Sequence, residues 1–143
     1  MLRPCVVTPE NGERFLPFLP AELTDQKDCM LLLGLEESGV PCGLLAGAPS
    51  GDVFELRSLY VSPAYRRRGG GLRLLEVLVA VLTEEPDLRA IRCAWTETKE
   101  TEGAAFLLAT AGFSVATADG AATAEIPLKP TEDLGALLAD LSD

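Results

Sequence analysis

The chain of 143 residues contains no histidine. Histidine is the side chain that changes protonation near neutral pH and the commonest metal ligand. Its absence excludes Ser-His-Asp and Cys-His nucleophilic catalysis and every histidine-based metal site. Acid–base chemistry in this protein must therefore come from carboxylates, tyrosine, cysteine, lysine or water.

Cysteines are few and widely dispersed along the chain. The four of them are Cys5, Cys29, Cys42 and Cys93. They form no C-x-x-C pair and most lie among apolar residues, which predicts reduced cysteines that pack in the interior. Because a zinc site needs closely spaced ligand pairs, no metal is expected.

Long apolar runs are also missing. The longest candidate, residues 72–82, is interrupted by Arg73 and Glu76, whereas a membrane-spanning helix needs about 20 consecutive apolar residues. The first residues lack the basic and then apolar pattern of a signal peptide. These absences predict a cytoplasmic protein that does not bind membranes.

Negative charge dominates the chain, which has 12 basic and 22 acidic residues and a formal net charge of −10. A field of this sign repels nucleic acids and anionic membrane surfaces, so neither is expected as a partner. The exception is the stretch from Arg57 to Arg73, which contains five arginines and no Asp or Glu. An anionic ligand is expected at this basic stretch.

Hydrophobic patterns predict a mixed sheet covered by helices. An antiparallel meander of short strands comes first, followed by a helix, a strand, a second helix and a hairpin. The predicted strands are 3–8, 31–36, 40–47, 53–61, 88–96, 113–118 and 122–128. The predicted helices are one or two short ones within 9–30, a long one at 72–84, another around 104–111 capped by Thr98 or Thr101, and an acidic tail at 131–143.

The basic stretch joins the end of a predicted strand to the start of the long predicted helix, through Arg66-Arg67-Arg68-Gly69-Gly70-Gly71-Leu72. The first turn of a helix has free N–H groups with partial positive charge, and glycines let a ligand approach the backbone closely. The combination predicts a phosphate or diphosphate site. The P-loop pattern is absent, and Leu74 interrupts the dinucleotide pattern G-x-G-x-x-G.

This segment resembles motif A of the GNAT superfamily of N-acetyltransferases, in which a strand and V-x-P precede Q/R-x-x-G-x-G/A and a leucine-rich helix. The matching residues are Val61, Pro63, Arg66, Gly69, Gly71, Leu74 and Leu75. A later segment resembles motif B of the family through Thr101, Ala104, Gly112 and Phe113. The resemblance covers residues 3–128. The alternative is a basic surface loop without a ligand.

The resemblance implies a single GNAT-like α/β domain over residues 1–143. Its six or seven strands would form a mixed, mostly antiparallel sheet that is splayed between the fourth and fifth strands and flanked by about four helices. Acetyl-CoA would lie in the gap, with its pantetheine arm paired to the backbone of Leu59, Tyr60 and Val61. The other implied cofactor-binding residues are Arg66, Arg67, Arg68, Gly69, Gly70, Gly71 and Leu72 around the diphosphate, and Thr101 in motif B.

The implied activity is transfer of an acetyl group from acetyl-CoA to a primary amine of a small molecule or protein, and sheet-edge homodimers are common in the family. The acidic net charge favours a cationic acceptor, such as a polyamine, an aminoglycoside or a protein that presents a lysine or its N-terminus. Glu55 is the candidate general base, since burial between Phe54 and Leu56 would make its carboxylate a stronger base. Arg57, on the same strand face, offers a structural ion pair to Glu55 instead.

Motif B departs from the family pattern at one position. The usual acid there is a tyrosine, and Leu108 occupies its place, while Tyr60 and Tyr65 do not align with it. This departure supports an alternative, a non-catalytic acyl-CoA-binding module or a regulatory domain of a larger protein. Cys93 and Trp95 are expected to pack in the core.

Overall fold

Residues 2–101 and 103–128, described by a computed structural model, form a seven-stranded sheet with helices on both faces. The strands are β1 Leu2–Val6, β2 Leu31–Glu37, β3 Val40–Ser50, β4 Val53–Val61, β5 Ala90–Thr96, β6 Ser114–Ala118 and β7 Ala121–Pro127. The α-helices are α1 Gly12–Phe15, α2 Gly70–Thr83 and α3 Ala104–Thr110, with 3₁₀ segments at Leu16–Phe18, Ala21–Cys29, Pro63–Tyr65 and Lys99–Thr101. The tail predicted at 131–143 lies outside the described residues.

The strand order is β1-β2-β3-β4-β5-β7-β6, and every neighbouring pair is antiparallel except β4 and β5, which are parallel. The β4–β5 pairing is short: it runs from Val53 opposite Ala90 to Leu56 opposite Cys93. Beyond these residues the two strands share no pairs, although β4 continues to Val61. The predicted mixed sheet, splayed between its fourth and fifth strands, is confirmed.

A β-bulge marks the point at which β4 leaves β5. Ala46 of β3 lies opposite Ser58, but the next residue, Gly47, lies opposite Leu56, so Arg57 has no partner on β3. A bulge bends its strand and increases the local twist. Arg57 is also the first residue after the last β4–β5 pair, so the bend and the separation of the strands coincide.

The larger core lies between the sheet and helices α2 and α3. The α2 side chains Leu74, Leu75, Leu78 and Leu82, which lie on one side of the helix, are buried in one core with Phe54, Leu56 and Ile91 of the sheet. Burial of one such side chain contributes about 1.5–3 kcal/mol relative to exposure. Arg73, Glu76 and Ala80 of the same helix, spaced three and four residues apart, are exposed to solvent.

The smaller core lies on the other face of the sheet, beneath the N-terminal segments. Phe15 is fully buried there and packs with Leu19, Leu44 and Ala46. The predicted short helices within 9–30 are one turn of α-helix and two 3₁₀ segments. Pro17 lies near the start of the first 3₁₀ segment, and prolines interrupt longer helical runs.

Gly34 of β2 lets Phe15 pack directly on the sheet. A Cβ atom at Gly34 would lie 2.5 Å from the nearest ring carbon of Phe15. We predict that Gly34→Ala destabilises the fold by about 1–3 kcal/mol, the usual range for overpacking a core. The midpoint of denaturant unfolding, followed by circular dichroism, measures this loss.

The matched control is Gly12→Ala, since the nearest atom to a Cβ there, on Val7, is at an ordinary contact distance of 3.7 Å. This control is expected to leave the unfolding midpoint unchanged or slightly raised. Equal midpoints for the two variants would contradict the packing account.

Candidate binding site for a diphosphate

The loop between β4 and α2 has an unusual backbone. The Ser62 N–H donates to the Cys42 carbonyl at 2.8 Å, and a 3₁₀ turn follows. Arg67 and Gly69 then both adopt the left-handed conformation, with φ of 63° and 82°, and α2 begins at Gly70. A left-handed conformation costs a residue other than glycine about 1–2 kcal/mol. Such strain is concentrated at functional sites, and here it falls where the sequence predicts a ligand.

The amides of this loop have no acceptors. In the part of the chain that the structure describes, none of the backbone N–H groups of residues 67–72 donates a hydrogen bond to the protein. The first amide with a partner is that of Arg73, which donates to the Gly69 carbonyl at 2.9 Å. Consecutive unpaired N–H groups at a helix start attract an anion. The loop residues therefore fit a diphosphate group.

The three arginines of the loop differ in what their side chains contact. Arg66 donates through Nε to the Val61 carbonyl at 2.7 Å and lies over the Tyr60 ring. Arg68 donates to both carboxylate oxygens of Glu37. Arg67 makes no side-chain hydrogen bond or ion pair with any described residue. Two arginines thus brace the loop, and the charge of Arg67 is the one left for a ligand.

The consecutive glycines have different structural reasons. Gly69 has positive φ, and the space around it is open. A Cβ at Gly70 would lie 2.5 Å from Leu35 Cδ2, and one at Gly71 would lie 3.1 Å from Leu107 Cδ2. The sequence predicts that all three glycines let a ligand approach. In the structure there is little room for a side chain at Gly70 or Gly71, because α2 packs closely on β2 and α3 at these positions.

The part of β4 beyond the bulge has a free edge. Leu59 and Val61 pack against the larger core, whereas the ring of Tyr60 stacks on Phe18 on the opposite face, with centroids 5.4 Å apart. No described strand pairs with the edge of Arg57 to Val61 that faces β5. This edge and the loop meet, because Arg66 bonds to the Val61 carbonyl. The structure thus brings together the predicted residues 59–61 and 66–72.

Cys93 lies at the apex of the gap, opposite Leu56 in the last β4–β5 pair, and packs against the larger core. Burial raises the pKa of its thiol to about 11. A thiol with this pKa is protonated at neutral pH and is a poor nucleophile. Trp95, two residues further along β5, also packs against this core, so both residues occupy the predicted packing positions.

Glu55 is more exposed than the sequence predicts. Its side chain is 44% exposed, so the expected burial between Phe54 and Leu56 is absent. Its carboxylate lies 3.9 Å from Nη2 of Arg57, as the alternative ion pair requires. Arg57 also donates to Oε1 of Gln26, in the 3₁₀ segment Ala21–Cys29. This contact joins residues 31 positions apart, and no local sequence pattern indicates it.

Thr101 lies in the turn between β5 and α3, but it does not cap α3. The N-cap is Gly103, with φ of 90°. The Thr101 hydroxyl donates to the Thr96 carbonyl at 3.1 Å and accepts from the Thr98 N–H at 2.8 Å. It therefore fixes the turn, beside a groove of about 270 Å³ that Trp95 also lines. A cofactor contact by Thr101 stays a prediction.

A family model described as the acetyltransferase (GNAT) family matches residues 3–113 of the chain. The chain belongs to the GNAT family. Enzymes of this family use acetyl-CoA as the acetyl donor. Within the described residues, no helix of this GNAT chain is both long enough and apolar enough to cross a membrane.

Solved structures resemble the chain over most of its length. The ribosomal-protein-S18-alanine N-acetyltransferase from Escherichia coli has a TM-score of 0.69 and 21% identity, covering 90% of this chain and 95% of that one. A Bacillus subtilis acetyltransferase in complex with CoA has a TM-score of 0.73 and 12% identity, covering 90% and 100%. A GNAT acetyltransferase from Elizabethkingia anophelis with acetyl-CoA bound has a TM-score of 0.70 and 14% identity, covering 89% and 98%. No curated protein sequence matches the chain significantly.

The GNAT motif B helix lacks the tyrosine that the family usually carries. Leu108, at that position, is 4% exposed and belongs to the larger core with Leu74 and Phe113. The side chain at this position therefore packs and offers no acid to a leaving thiolate.

The ion pair between Arg68 and Glu37 ties the loop to the end of β2. Hydrogen bonds from Arg68 lower the pKa of Glu37 to about 2. Because this pKa is depressed in the folded state, the stabilisation is present above the unfolded value of about 4.3 and is lost as the pH falls towards 2. We predict that Arg68→Gln raises the pKa of Glu37 towards its usual value. A carbon-detected NMR titration of the Glu37 carboxylate measures this.

The control for this titration is Arg67→Gln, which removes a neighbouring charge without removing a partner of Glu37. It is expected to leave the Glu37 titration curve near that of the unmodified protein. A curve that shifts equally in both variants would show that general loop charge, and not the Arg68 contact, sets the pKa.

Proposed function

We propose that the chain is an acetyl-CoA-dependent N-acetyltransferase that acts on a primary amine of a small molecule or protein. The observation that supports this most directly is the row of unpaired amides at residues 67–72 beside the free edge of β4. One structural neighbour acts on an alanine of a ribosomal protein. We further propose one domain over residues 1–143, acting in the cytoplasm.

The proposed cofactor site uses two parts of the same chain segment. The amides of residues 67–72 would hold the diphosphate, with the Arg67 side chain adding charge. The edge of Leu59, Tyr60 and Val61 would pair with the amide-containing arm, as an added strand does. Charge-assisted hydrogen bonds contribute about 1.5–3 kcal/mol each, so a few of them supply much of the ~8 kcal/mol of a micromolar ligand.

The proposed chemistry takes place at the apex between Leu56 and Cys93. When bound, acetyl-CoA supplies an activated acetyl thioester. The acceptor nitrogen would form a bond to the acetyl carbon as the carbon–sulfur bond breaks. One proton of the acceptor ammonium would pass to a base, and a second would end on the sulfur. Glu55, one residue before Leu56, is the proposed base or the group that positions the ammonium. With Leu108 at the usual tyrosine position, the thiolate leaves without an acid from α3.

The alternative is a non-catalytic acyl-CoA-binding module, and the buried Leu108 is the observation that favours it. Both proposals require the same cofactor site. They differ only in whether an amine reacts at the apex, so turnover distinguishes them.

Gly69→Ala tests the diphosphate site. At φ of 82° a Cβ is strained, and it would occupy the open space before the amides. We predict that the variant binds CoA at least about tenfold more weakly, a loss of ~1.4 kcal/mol. Isothermal titration calorimetry measures the affinity.

The control is Gly51→Ala in the β3–β4 turn, where φ is also positive, at 64°, and the space is also open. It should lose stability by a similar amount and keep its affinity for CoA. Equal affinities of the two variants for CoA would show that the amides of residues 67–72 do not bind the diphosphate.

Glu55→Gln tests the catalytic proposal. Release of free thiol from acetyl-CoA is followed with a panel of primary amines. If Glu55 is the base, we predict that the variant loses about 10²–10⁴ in kcat, the usual contribution of a general base, with its affinity for CoA unchanged. The control is Glu125→Gln, an exposed carboxylate on β7 that pairs with Arg92. Tight CoA binding without turnover of any amine would favour the binding module.

A further inference from the structure

The sheet face opposite α2 is polar where β4 and β5 separate. Arg57 contacts Gln26 on this face, and Tyr60 stacks there on Phe18, so the N-terminal segments border the area on one side. On the other side lie the strands β5 and β7. Arg92 and Ala94 of β5 are exposed there. The surface of this face beside the apex is therefore exposed and consists of polar and small side chains.

Arg57 lies at the edge of the gap itself. It is the bulge residue, without a partner on β3, and it directly follows Leu56, the last β4 residue paired with β5. Its guanidinium donates to Oε1 of Gln26 and lies 3.9 Å from the Glu55 carboxylate. The Arg57 side chain is 32% exposed, so a ligand at the apex can reach its guanidinium.

The charge of Arg57 is only partly neutralised. Arg92, one strand away, donates twice to Oε1 of Glu125, at 3.0 and 3.1 Å. Arg57, by contrast, has one neutral amide partner and a carboxylate at 3.9 Å, a distance at the limit of an ion pair. Exposed ion pairs of this kind contribute little. An incoming carboxylate can therefore compete for Arg57 without breaking a strong contact.

Arg57 and Glu55 present one positive and one negative group side by side, with 3.9 Å between Nη2 and the carboxylate oxygen. An amino acid carries the complementary pair, a carboxylate and an ammonium separated by two bonds through one carbon. The guanidinium fork binds a carboxylate through two parallel hydrogen bonds. The ammonium would then lie beside Glu55, which is next to the apex where the acetyl group is proposed to react.

We propose that Arg57 selects an acceptor amine that carries a carboxylate, of the α-amino-acid class, and that Glu55 receives its ammonium group. This inference rests on the proposed acetyltransferase function and concerns the acceptor half of the same site. It replaces the purely cationic acceptor expected from the net charge, because a local guanidinium at the reacting centre outweighs a distributed acidic surface that salt screens.

The test compares each proteinogenic L-amino acid with its own α-carboxamide as acceptor, at saturating acetyl-CoA, by thiol release. The unmodified protein is expected to favour at least one acid over its amide by tenfold or more in kcat/KM. The amino group of the carboxamide is less basic than that of the amino acid, so a larger fraction of it is neutral and able to react. A preference for the acid therefore has to come from recognition of the carboxylate. Arg57→Gln is expected to reduce the preference to about threefold or less, mainly through KM for the acid.

Two variants sharpen the test. Arg57→Lys keeps the charge but loses the fork, and an intermediate preference is expected. Arg92→Gln removes a guanidinium from the same sheet face and should keep the full preference for the acid. The inference is overturned if spermidine or the amides are acetylated with the same kcat/KM as the acids. It is also overturned if Arg57→Gln keeps the preference for the acid over its amide.

A measurement without turnover separates this inference from the proposed function. The Nε–H NMR signal of Arg57, assigned by its loss in Arg57→Lys, is followed in the complex with CoA. It is expected to shift on addition of the preferred amino acid and to stay in place with the amide. No shift with any amino acid overturns the inference, even when CoA binds and other amines react. Absence of CoA binding, in contrast, defeats the proposed function.

Discussion

The bulge at Arg57 is the constraint on which the candidate site depends. Because Ser58 lies opposite Ala46 and Leu56 opposite Gly47, β4 contains one more residue than its partner and bends there. The pairing with β5 stops at the preceding residue. The same extra residue allows Leu56 and Leu59, three positions apart, both to pack in the larger core. Without it, strand alternation would place one of them on the polar face.

The loop amides depend on a second constraint, the position of the start of α2. If the first turn of the helix were free to move, its N–H groups would be hydrogen-bonded to water in many orientations and would have to be ordered when an anion binds. Here Gly70 contacts β2 through Leu35, Arg66 bonds to the Val61 carbonyl, and Arg68 pairs with Glu37. These contacts act on both sides of the turn that contains Gly69. The amides are thus held in place by the protein before any anion binds, which reduces the entropy that binding has to offset.

Sequence patterns predict the elements whose formation is local. β4 begins and ends at the predicted residues. α2 begins two residues before the predicted helix, at Gly70 and Gly71, which are poor helix formers, and ends one residue earlier. The loop between β4 and α2 is predictable for the same reason, since its glycines, its arginines and the helix start are contiguous, while its binding of a diphosphate stays a prediction. Predictions that depend on distant residues are less accurate. The exposure of Glu55 and the contact of Arg57 with Gln26 both depend on how the N-terminal segments cover the sheet.

The N-terminal segments connect the two halves of the site. Phe18 stacks on Tyr60. The guanidinium of Arg66 lies over the same Tyr60 ring, and its Nε donates to the Val61 carbonyl. The segment Ala21–Cys29, which has only 3₁₀ structure, contributes Gln26, the hydrogen-bond partner of Arg57. Since 3₁₀ segments are less stable than α-helices, their sequence can change at lower cost to the fold. The stack of Phe18 on Tyr60 anchors these 3₁₀ segments to β4, so a change at Gln26 can alter the surroundings of Arg57 while Arg66 still holds the loop at Val61.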